Sequence, residues 1–457
     1  MKLLRILSIA LILLSFIILP TSADNSNKNS TSKPMLAEQP VDIYKQRRQK
    51  LMEKTKNGIV LIFGETEDGT LGVDAKFRQN DNFMYLTGVE VPGSILLLVP
   101  FSHQGAKEWL FIPQRNLMNE QWTGPQPAPG AETAEAFGIE KVVGKEEFEK
   151  TFALVLEGTE FKKAGGIVYN STKCLCPNRV GSRERFNELL PKANPPELLP
   201  VAPIINELRM VKSESELALL QRSIDITATA HEDMFKNIKP GVMEYELEGI
   251  IIGNFFKGGA QRLAFPCIVG SGINSTVLHY EHNRKKVEDG DLIVVDIGAE
   301  YFYYAADITR TYPASGKFTP RQKEVYKLVL DAQTAAVNAF KYGVSTMSDL
   351  QDAARQAMRS SQLRDSKGKS LDSYFIHGLG HFLGMYVHDV GDYSRPLPAG
   401  AVITIEPGIY IPDEKIGVRI EDDYLVTEKG LVKMTKNIPS DPEEVEKLMA
   451  KYREVKK

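Results

Sequence analysis

Apolar and polar positions along the first part of the chain alternate in a way that predicts short strands separated by helices. Within residues 41–205, apolar runs bounded by glycine or proline predict buried strands at 58–64, 94–100, 109–113 and 166–169. Helical stretches such as 44–54 lie between these runs. The alternation predicts an N-terminal α/β domain over 41–205.

The remaining part of the chain, 206–457, has a different pattern. Prolines at 195, 196, 200 and 203 predict a boundary region before it. Ser213 and Glu216 form a capping box that predicts the start of one helix, and Thr319 followed by Pro320 predicts the start of another. Strand-like runs occur at 292–297, 301–308, 402–405 and 418–420. Helices and strands grouped in this way predict an α+β C-terminal domain.

The first 40 residues predict export rather than a folded unit. Lys2 and Arg5 precede an apolar run at 6–19, and small residues at 21–23 follow it, which is the layout of a signal peptide over 1–23. The run is shorter than the roughly 20 residues that a membrane-spanning helix needs. We therefore expect a periplasmic or extracellular protein, with an uncleaved membrane anchor as the alternative. Residues 24–40 are polar and predict a disordered linker.

Composition and charge exclude several classes of partner. The chain has 457 residues and a formal net charge of -3, and 25% of its residues are charged. This balance is typical of a soluble protein and predicts no nucleic-acid partner and no membrane partner beyond export. The three cysteines, Cys174, Cys176 and Cys267, are too few for a disulfide framework and are expected to be free thiols.

Candidate chemistry is concentrated in the C-terminal domain. Five of the seven histidines lie between 279 and 388, namely His279, His282, His377, His381 and His388. His377 and His381 are four residues apart, but the glycines between them and the missing glutamate exclude the helical zinc motif.

Two glutamates are predicted to face each other across a hairpin. Residues 412–415 form a good turn sequence, and a hairpin centred there places Glu406 opposite Glu421. Directly opposed residues have Cβ atoms roughly 4.5–5.5 Å apart, so the carboxylates repel unless cations lie between them.

Two aspartates interrupt apolar, strand-like sequence nearby. Asp296 ends the run at 292–295 and Asp307 follows an aromatic run, so the two are expected to be cross-strand neighbours. Buried aspartates in strands are unfavourable without a partner. Oxygen donors with one imidazole suit manganese, and also accept iron, cobalt or zinc.

Five sequence blocks resemble those of the pita-bread metallopeptidases and occur in the order found in that family. They are VVDIG at 294–298, ADITRT at 306–311, HGLGHFLGMYVHDVG at 377–391, TIEPGIY at 404–410 and VRIED at 418–422. Within the family the chain is most similar to the Xaa-Pro aminopeptidases (aminopeptidase P) and next to the Xaa-Pro dipeptidases (prolidases). The segment FRQNDNFMYLTG at 77–88 resembles the N-terminal domain of aminopeptidase P.

The resemblance implies a dinuclear metal site and a role for each matching residue. The residues that hold two divalent ions are Asp296, Asp307, His381, Glu406 and Glu421, with Asp307 and Glu421 bridging. The implied nucleophile is a water or hydroxide between the ions, and Glu406 is the implied proton shuttle.

The resemblance also assigns the residues around the metals. It implies that His279 and His388 contact the substrate and steady the oxyanion, and that His377 lines the proline-side pocket. Arg419 and Tyr410 are implied to orient Glu421 and the substrate. His282 matches no assigned position and is expected near the entrance or on the surface.

The implied activity is release of the N-terminal residue from peptides whose second residue is proline. Prolidase activity, which is restricted to dipeptides, is the near alternative. A non-catalytic binding protein on the same pita-bread fold is the alternative from another class. The resemblance also implies a homodimer or homotetramer.

Overall fold

The computed structural model describes residues 39–67, 76–103, 105–171, 189–192 and 194–454. The predicted signal peptide, nearly all of the linker, Cys174 and Cys176 lie outside these ranges. Cys267 is a buried free thiol, as expected. Within the described ranges, no helix has the length and apolar character needed to cross a membrane.

The N-terminal domain is built around one mixed sheet. Its helices are α1 (Val41–Lys54), α2 (Asp81–Thr87), α3 (Leu117–Thr123), α4 (Ala131–Phe137), α5 (Phe148–Glu157) and α6 (Thr159–Ala164). Its strands are β1 (Gly58–Phe63), β2 (Ile95–Leu98), β3 (Glu108–Ile112), β4 (Lys141–Gly144), β5 (Ile167–Asn170) and β6 (Glu197–Pro200). The strand order is β4-β3-β2-β1-β5-β6. β1, β2 and β3 pair antiparallel, and the other pairs are parallel.

The C-terminal part combines long helices with short antiparallel strand pairs. The helices are α7 (Ala202–Met210), α8 (Glu214–Asn237), α9 (Glu244–Lys257), α10 (Pro320–Ala339), α11 (Met347–Ser360) and α12 (Pro442–Glu454). The strands are β7 (Arg262–Leu263), β8 (Ile268–Ser271), β9 (Leu292–Ile297), β10 (Ala299–Tyr301), β11 (Tyr304–Ala305), β12 (Ile308–Pro313), β13 (Val402–Ile405), β14 (Gly408–Ile411), β15 (Ile416–Arg419), β16 (Asp422–Thr427) and β17 (Gly430–Lys433). They form the sheets β12-β9-β8, β11-β10-β7, β13-β16-β17 and β14-β15.

Three of the hydrophobic cores among the described residues are large, and one of them joins the two parts. One lies within the C-terminal domain, and another fills one face of the N-terminal sheet. The third crosses the boundary, because it contains Tyr44 and Phe83 of the N-terminal domain together with Tyr304 and Leu383 of the C-terminal domain. Burial of apolar surface stabilises this contact by roughly 25 cal/mol per Å².

Both predicted helix starts match the structure. Ser213 and Glu216 form the capping box of α8, and the Thr319 side chain caps α10 by accepting a hydrogen bond from the Gln322 amide. The proline-rich boundary region contains β6, which pairs with β5 at the sheet edge. The predicted boundary between the two domains, at residues 205 and 206, falls within α7. The exact position of this boundary stays a prediction.

The prediction of one strand over 301–308 was wrong. The chain instead makes β10 and β11, joined by a tight turn at Phe302 and Tyr303, and then enters β12 at Ile308. Phe302 and Tyr303 both have positive φ, of 44° and 72°. Aromatic residues rarely adopt this conformation, which is why the sequence gives no turn signal here.

Candidate metal centre

Three of the predicted metal ligands form a compact cluster. Ligand atoms of Asp307, His381 and Glu421 all lie within 4.8 Å of one another. His381 Nε2 is 3.2 Å from Asp307 Oδ2 and 3.7 Å from Glu406 Oε1, so Glu406 joins the group. The structure therefore brings one imidazole and three carboxylates to a single point.

Glu406 and Glu421 occupy opposed positions between two strand pairs. β13 pairs with β16 and β14 with β15, and one register runs through both ladders. Glu406 and Glu421 lie opposite each other in this register, as predicted, although neither belongs to a hydrogen-bonded strand. Pro407, which has no amide hydrogen to donate, follows Glu406 and helps to end the ladder there.

Asp296 and Asp307 are cross-strand neighbours, as expected, although they are offset diagonally and are not directly opposed. Asp296 pairs with Thr309 in the β9–β12 ladder, and Asp307 lies immediately before β12. The two aspartates are thus diagonal neighbours on one face of the sheet. Gly298 is required nearby, since a Cβ there would lie 1.9 Å from the Ala306 carbonyl oxygen.

Burial and mutual repulsion raise the pKa values of these carboxyl groups. Burial is the largest cause for Asp307 and Glu421, whose pKa values lie well above the ordinary range, and Asp296 and Glu406 add repulsion to both. Burial likewise raises the pKa of Glu406 to about 7, with His381 opposing the shift. The protein alone does not neutralise this site.

Unpartnered oxygens indicate what the cluster accommodates. Asp296 Oδ1 and Glu421 Oε1 are buried and have no hydrogen-bond partner among the described residues. Buried charged groups are normally paired or bound to metals. Oxygen donors with one imidazole are a suitable ligand set for divalent cations, so these residues fit the metal site that the sequence predicts.

Three further histidines surround the cluster. The His388 ring lies 4.4 Å from the His381 ring, edge to face, and His388 is exposed toward solvent. His279 is exposed as well. Burial is the largest cause of the lowered pKa values of His377 and His388, and electrostatic interaction with His279 adds to both shifts. The structure therefore groups His279, His377 and His388 around the cluster, while His282 is exposed beside Tyr280.

Arg419 and Tyr410 support one wall of the site. Arg419 NH2 donates to Asp296 Oδ2 at 2.6 Å, and Arg419 NH1 donates to the Tyr410 hydroxyl at 2.8 Å. His377 Nε2 is 2.9 Å from the same hydroxyl, and burial lowers the pKa of His377 to about 4. Arg419 therefore orients Asp296 directly, and its predicted role in orienting Glu421 stays a prediction.

Two threonines also hold residues of the cluster in place, and no role was predicted for either of them from the sequence. Thr309 Oγ1 donates to Glu421 Oε2 at 2.7 Å and accepts from Arg419 Nε at 3.2 Å. Thr404 Oγ1 accepts a hydrogen bond from the His381 amide at 3.0 Å. Each threonine lies two residues from a carboxylate of the site, so the alternation of strand residues could have revealed them.

Two family models match the chain. The model described as metallopeptidase family M24 matches residues 218–428. The model described as aminopeptidase P, N-terminal domain, matches residues 44–163. The first match contains all five candidate metal ligands.

Individual proteins are similar over most of the chain. Xaa-Pro aminopeptidase of Escherichia coli strain K12 is 34% identical over 441 residues, which cover 90% of this chain and 98% of that protein. Human Xaa-Pro dipeptidase is 30% identical, with 90% of this chain and 94% of that protein covered. The structure of E. coli aminopeptidase P with the inhibitor Pro-Leu superposes with a TM-score of 0.83 at 34% identity, covering 91% of this chain and 100% of that one.

Proposed function

The chain belongs to metallopeptidase family M24, as its sequence blocks predicted, and we propose that it is a metal-dependent Xaa-Pro aminopeptidase. It is a hydrolase that releases the N-terminal residue from peptides with proline in the second position. The observation that carries this proposal is the cluster of Asp307, His381 and Glu421. It lies in a chain that is 34% identical to an Xaa-Pro aminopeptidase over nearly its whole length.

The residues that would hold two divalent ions are Asp296, Asp307, His381, Glu406 and Glu421. Bound ions would supply Lewis-acid activation of water and of the scissile carbonyl. We propose manganese as the native metal because four carboxylates and one imidazole are a hard, oxygen-rich donor set. Metal analysis of the purified protein tests this choice, and zinc or iron as the main metal would contradict it.

Glu406 is the group suited to carrying a proton during the reaction. Its side chain is 19% exposed and lies 3.7 Å from His381, so it borders both the cluster and solvent. A general base or acid contributes most when its pKa is near the working pH.

The surrounding histidines are suited to binding the substrate. His279 and His388 are exposed beside the cluster and can donate a hydrogen bond to the carbonyl oxygen as negative charge develops on it. His377 and Tyr410 form a hydrogen-bonded wall, which we propose as the side of the cleft that receives proline.

Cleavage of peptides of two lengths tests the proposed function. Purified protein supplied with manganese is incubated with Xaa-Pro-Xaa tripeptides and with Xaa-Pro dipeptides, and release of the first residue is measured. We expect cleavage of the tripeptide, and an otherwise identical peptide with alanine in place of proline is the control. Cleavage of dipeptides alone would contradict the aminopeptidase assignment.

The alternatives have less support. The dipeptidase relative is similar over the same share of this chain, but at 30% rather than 34% identity. A non-catalytic binding protein does not require a complete ligand set, whereas all five predicted ligands occur in this chain. A protein that binds no metal and cleaves no peptide after addition of manganese would favour that alternative.

We also propose that the mature protein is exported after removal of residues 1–23. The basic start, the apolar run and the small residues at 21–23 support this proposal. Mass spectrometry of the protein recovered from its native compartment tests it. We expect a mature chain beginning at Asp24, and an intact N-terminus in a membrane fraction would contradict export.

We propose a homodimer or homotetramer, with α3 at an interface. Leu117, Met118 and Trp122 on this helix are 66%, 78% and 89% exposed. Exposed apolar groups of this size commonly mark contact surfaces. Light scattering is expected to show an oligomer that the change Trp122→Ser weakens, and a monomeric unmodified protein would contradict the proposal.

A further inference from the structure

An unfavourable turn lies on the path between two candidate metal ligands. The turn joins β10 to β11 and falls between Asp296 and Asp307 in the sequence. Phe302 and Tyr303 occupy it with φ values of 44° and 72°. Two-residue hairpin turns with positive φ favour asparagine and glycine. A bulky residue keeps this conformation only where surrounding contacts hold it.

The N-terminal domain supplies contacts that hold the turn. Tyr303 is 3% exposed. Its hydroxyl donates to Glu90 Oε1 at 2.5 Å and accepts from the Gln79 amide at 2.8 Å. The guanidinium of Arg78 lies 4.8 Å from the centre of the Tyr303 ring, within the range of a cation–π interaction. Arg78, Gln79 and Glu90 of the N-terminal domain therefore all contact Tyr303 of the C-terminal domain.

Arg78 also connects the turn to a second segment of the site. Arg78 Nε donates to Glu300 Oε2 in β10 at 2.9 Å. Arg78 NH2 donates to the Met385 carbonyl oxygen at 2.8 Å. Met385 belongs to the 381–388 loop, which begins at His381 and ends at His388. One arginine of the N-terminal domain thus bridges the hairpin and the loop.

The same two segments set the position of two candidate ligands. The Ala305 amide donates to the Gly384 carbonyl oxygen at 2.9 Å. Ala305 precedes Asp307 by two residues, and Gly384 follows His381 by three. Asp307 Oδ2 and His381 Nε2 are 3.2 Å apart. A shift of the hairpin against the loop would therefore change the separation of these ligand atoms.

A second contact fixes the far end of the loop. Arg209 in α7 donates to Asp389 Oδ1 at 2.5 Å and to Asn82 Oδ1 at 2.7 Å. Asp389 follows His388 directly, and Asn82 lies in α2 of the N-terminal domain. The segment 78–82 is therefore attached to the middle of the loop directly and, through Arg209, to the residue that follows its far end.

We infer that the N-terminal domain is a positioning element of the metal site, acting through Arg78 and the Tyr303 turn. The printed side-chain contacts of Arg78 and Tyr303 are with residues other than the candidate metal ligands, so both would act through the positions of Asp307 and His381. The inference rests on the proposed function for the identity of the metal ligands. Groups that orient metal ligands typically change metal affinity by about 10- to 100-fold when replaced.

Manganese binding to metal-free protein tests the inference without any substrate. The variants are Arg78→Lys, which keeps the charge but loses the fork of donors, and Tyr303→Phe, which loses the hydroxyl. Titration with Mn²⁺ alone, well below the unfolding temperature, is expected to show about tenfold weaker binding for Arg78→Lys and about threefold for Tyr303→Phe. At saturating Mn²⁺, kcat and KM are expected to return toward those of the unmodified protein.

Matched changes elsewhere separate positioning from general destabilisation. Arg115→Lys removes an exposed fork to Glu120, and Tyr452→Phe removes a hydroxyl that donates to Glu232. Both controls are expected to bind Mn²⁺ as the unmodified protein does. Wild-type affinity in Tyr303→Phe and Arg78→Lys, with only a lower unfolding temperature, would overturn the inference. If Arg78→Lys does not fold, Tyr303→Phe alone decides.

The two proposals can fail independently. Mn²⁺ affinity is measured without peptide, so a protein that cleaves no Xaa-Pro peptide still gives a clear result for Arg78 and Tyr303. Conversely, an active enzyme whose variants bind Mn²⁺ normally would retain the proposed function and lose the positioning role.

Discussion

Glu421 and Asp422 are adjacent in the chain and equally buried, yet their surroundings are opposite. Asp422 accepts from Arg310 and Thr435 and forms an ion pair with Lys433. Burial by itself would raise the pKa of Asp422. The positive charges of Arg310 and Lys433 outweigh this effect, so the pKa of Asp422 lies below its ordinary value. Glu421 instead faces other carboxyl groups, and its pKa is raised.

The difference between Glu421 and Asp422 shows how the fold keeps a carboxylate with a structural role apart from a carboxylate of the candidate metal site. Successive residues of an extended segment point to opposite sides. One side meets protein cations that neutralise Asp422. The other side meets Asp307 and Glu406, and Glu421 Oε1 there has no hydrogen-bond partner within the part of the chain that the structure describes. The same backbone therefore carries one carboxylate that protein cations neutralise and one that belongs to the candidate metal site.

The largest expected effect is the loss of activity in Glu421→Gln. Removing a predicted metal ligand is expected to lower kcat/KM by about 10²- to 10³-fold, the range for loss of one group that supports electrostatic stabilisation of the transition state. The metal-free protein should be as stable as before, because the amide relieves repulsion. Peptide cleavage and urea unfolding measure the two effects, with exposed Glu428→Gln as the control.

Asp422→Asn is expected to have the opposite profile. It leaves the buried Arg310 without its carboxylate, so the free energy of unfolding should fall by about 3–5 kcal/mol. Urea denaturation measures this loss, and exposed Asp413→Asn is the matched control. If Asp422→Asn were as stable as the control Asp413→Asn, Asp422 would have no structural role that distinguishes it from Glu421.

The pH dependence of the metal-free protein gives a smaller effect. Burial raises the pKa of Glu406 from an ordinary 4.5 to about 7. A raised pKa means that the folded state binds the Glu406 proton more tightly than the unfolded state does. The contribution of this proton to the free energy of unfolding is complete below pH 4.5 and is lost as pH rises to about 7. Thermal unfolding across this range should show the loss, and Glu406→Gln should flatten the profile. If the stability of Glu406→Gln changed with pH as that of the unmodified protein does, Glu406 would not be the group that causes the pH dependence.

The smallest effect is expected for Tyr410→Phe. The change removes a hydroxyl that accepts from Arg419 and contacts His377. A hydrogen bond to a charged group contributes about 1.5–3 kcal/mol, so kcat/KM should fall by about tenfold or somewhat more. Steady-state cleavage measures the change, and Tyr374→Phe, whose hydroxyl donates to Asp365, is the control. Equal effects of the two changes would argue against a role for Tyr410 in the site.

The sequence predicted those parts of the fold that depend on local signals. The capping residues Ser213 and Thr319 determine helix starts within a few residues, so both were found. The opposition of Glu406 and Glu421 followed from a turn centred on 412–415, because turn position fixes hairpin register.

The parts that were missed depend on distant contacts. The turn at Phe302 and Tyr303 has no local signal, since residues far away in the sequence, including Arg78 and Glu90, hold it. The sequence therefore indicated that Asp296 and Asp307 are cross-strand neighbours but did not give their diagonal offset. Family resemblance supplied the complete ligand set, which spacing alone did not.

Metal binding by the metal-free protein tests the central claim most directly. Titration with manganese, followed by calorimetry, counts the ions and measures the stabilisation against thermal unfolding. The account predicts two ions per chain and a higher unfolding temperature, because the cations neutralise the carboxylates around Glu421 while Asp422 stays paired. No manganese binding, or binding that leaves the unfolding temperature unchanged, would contradict it.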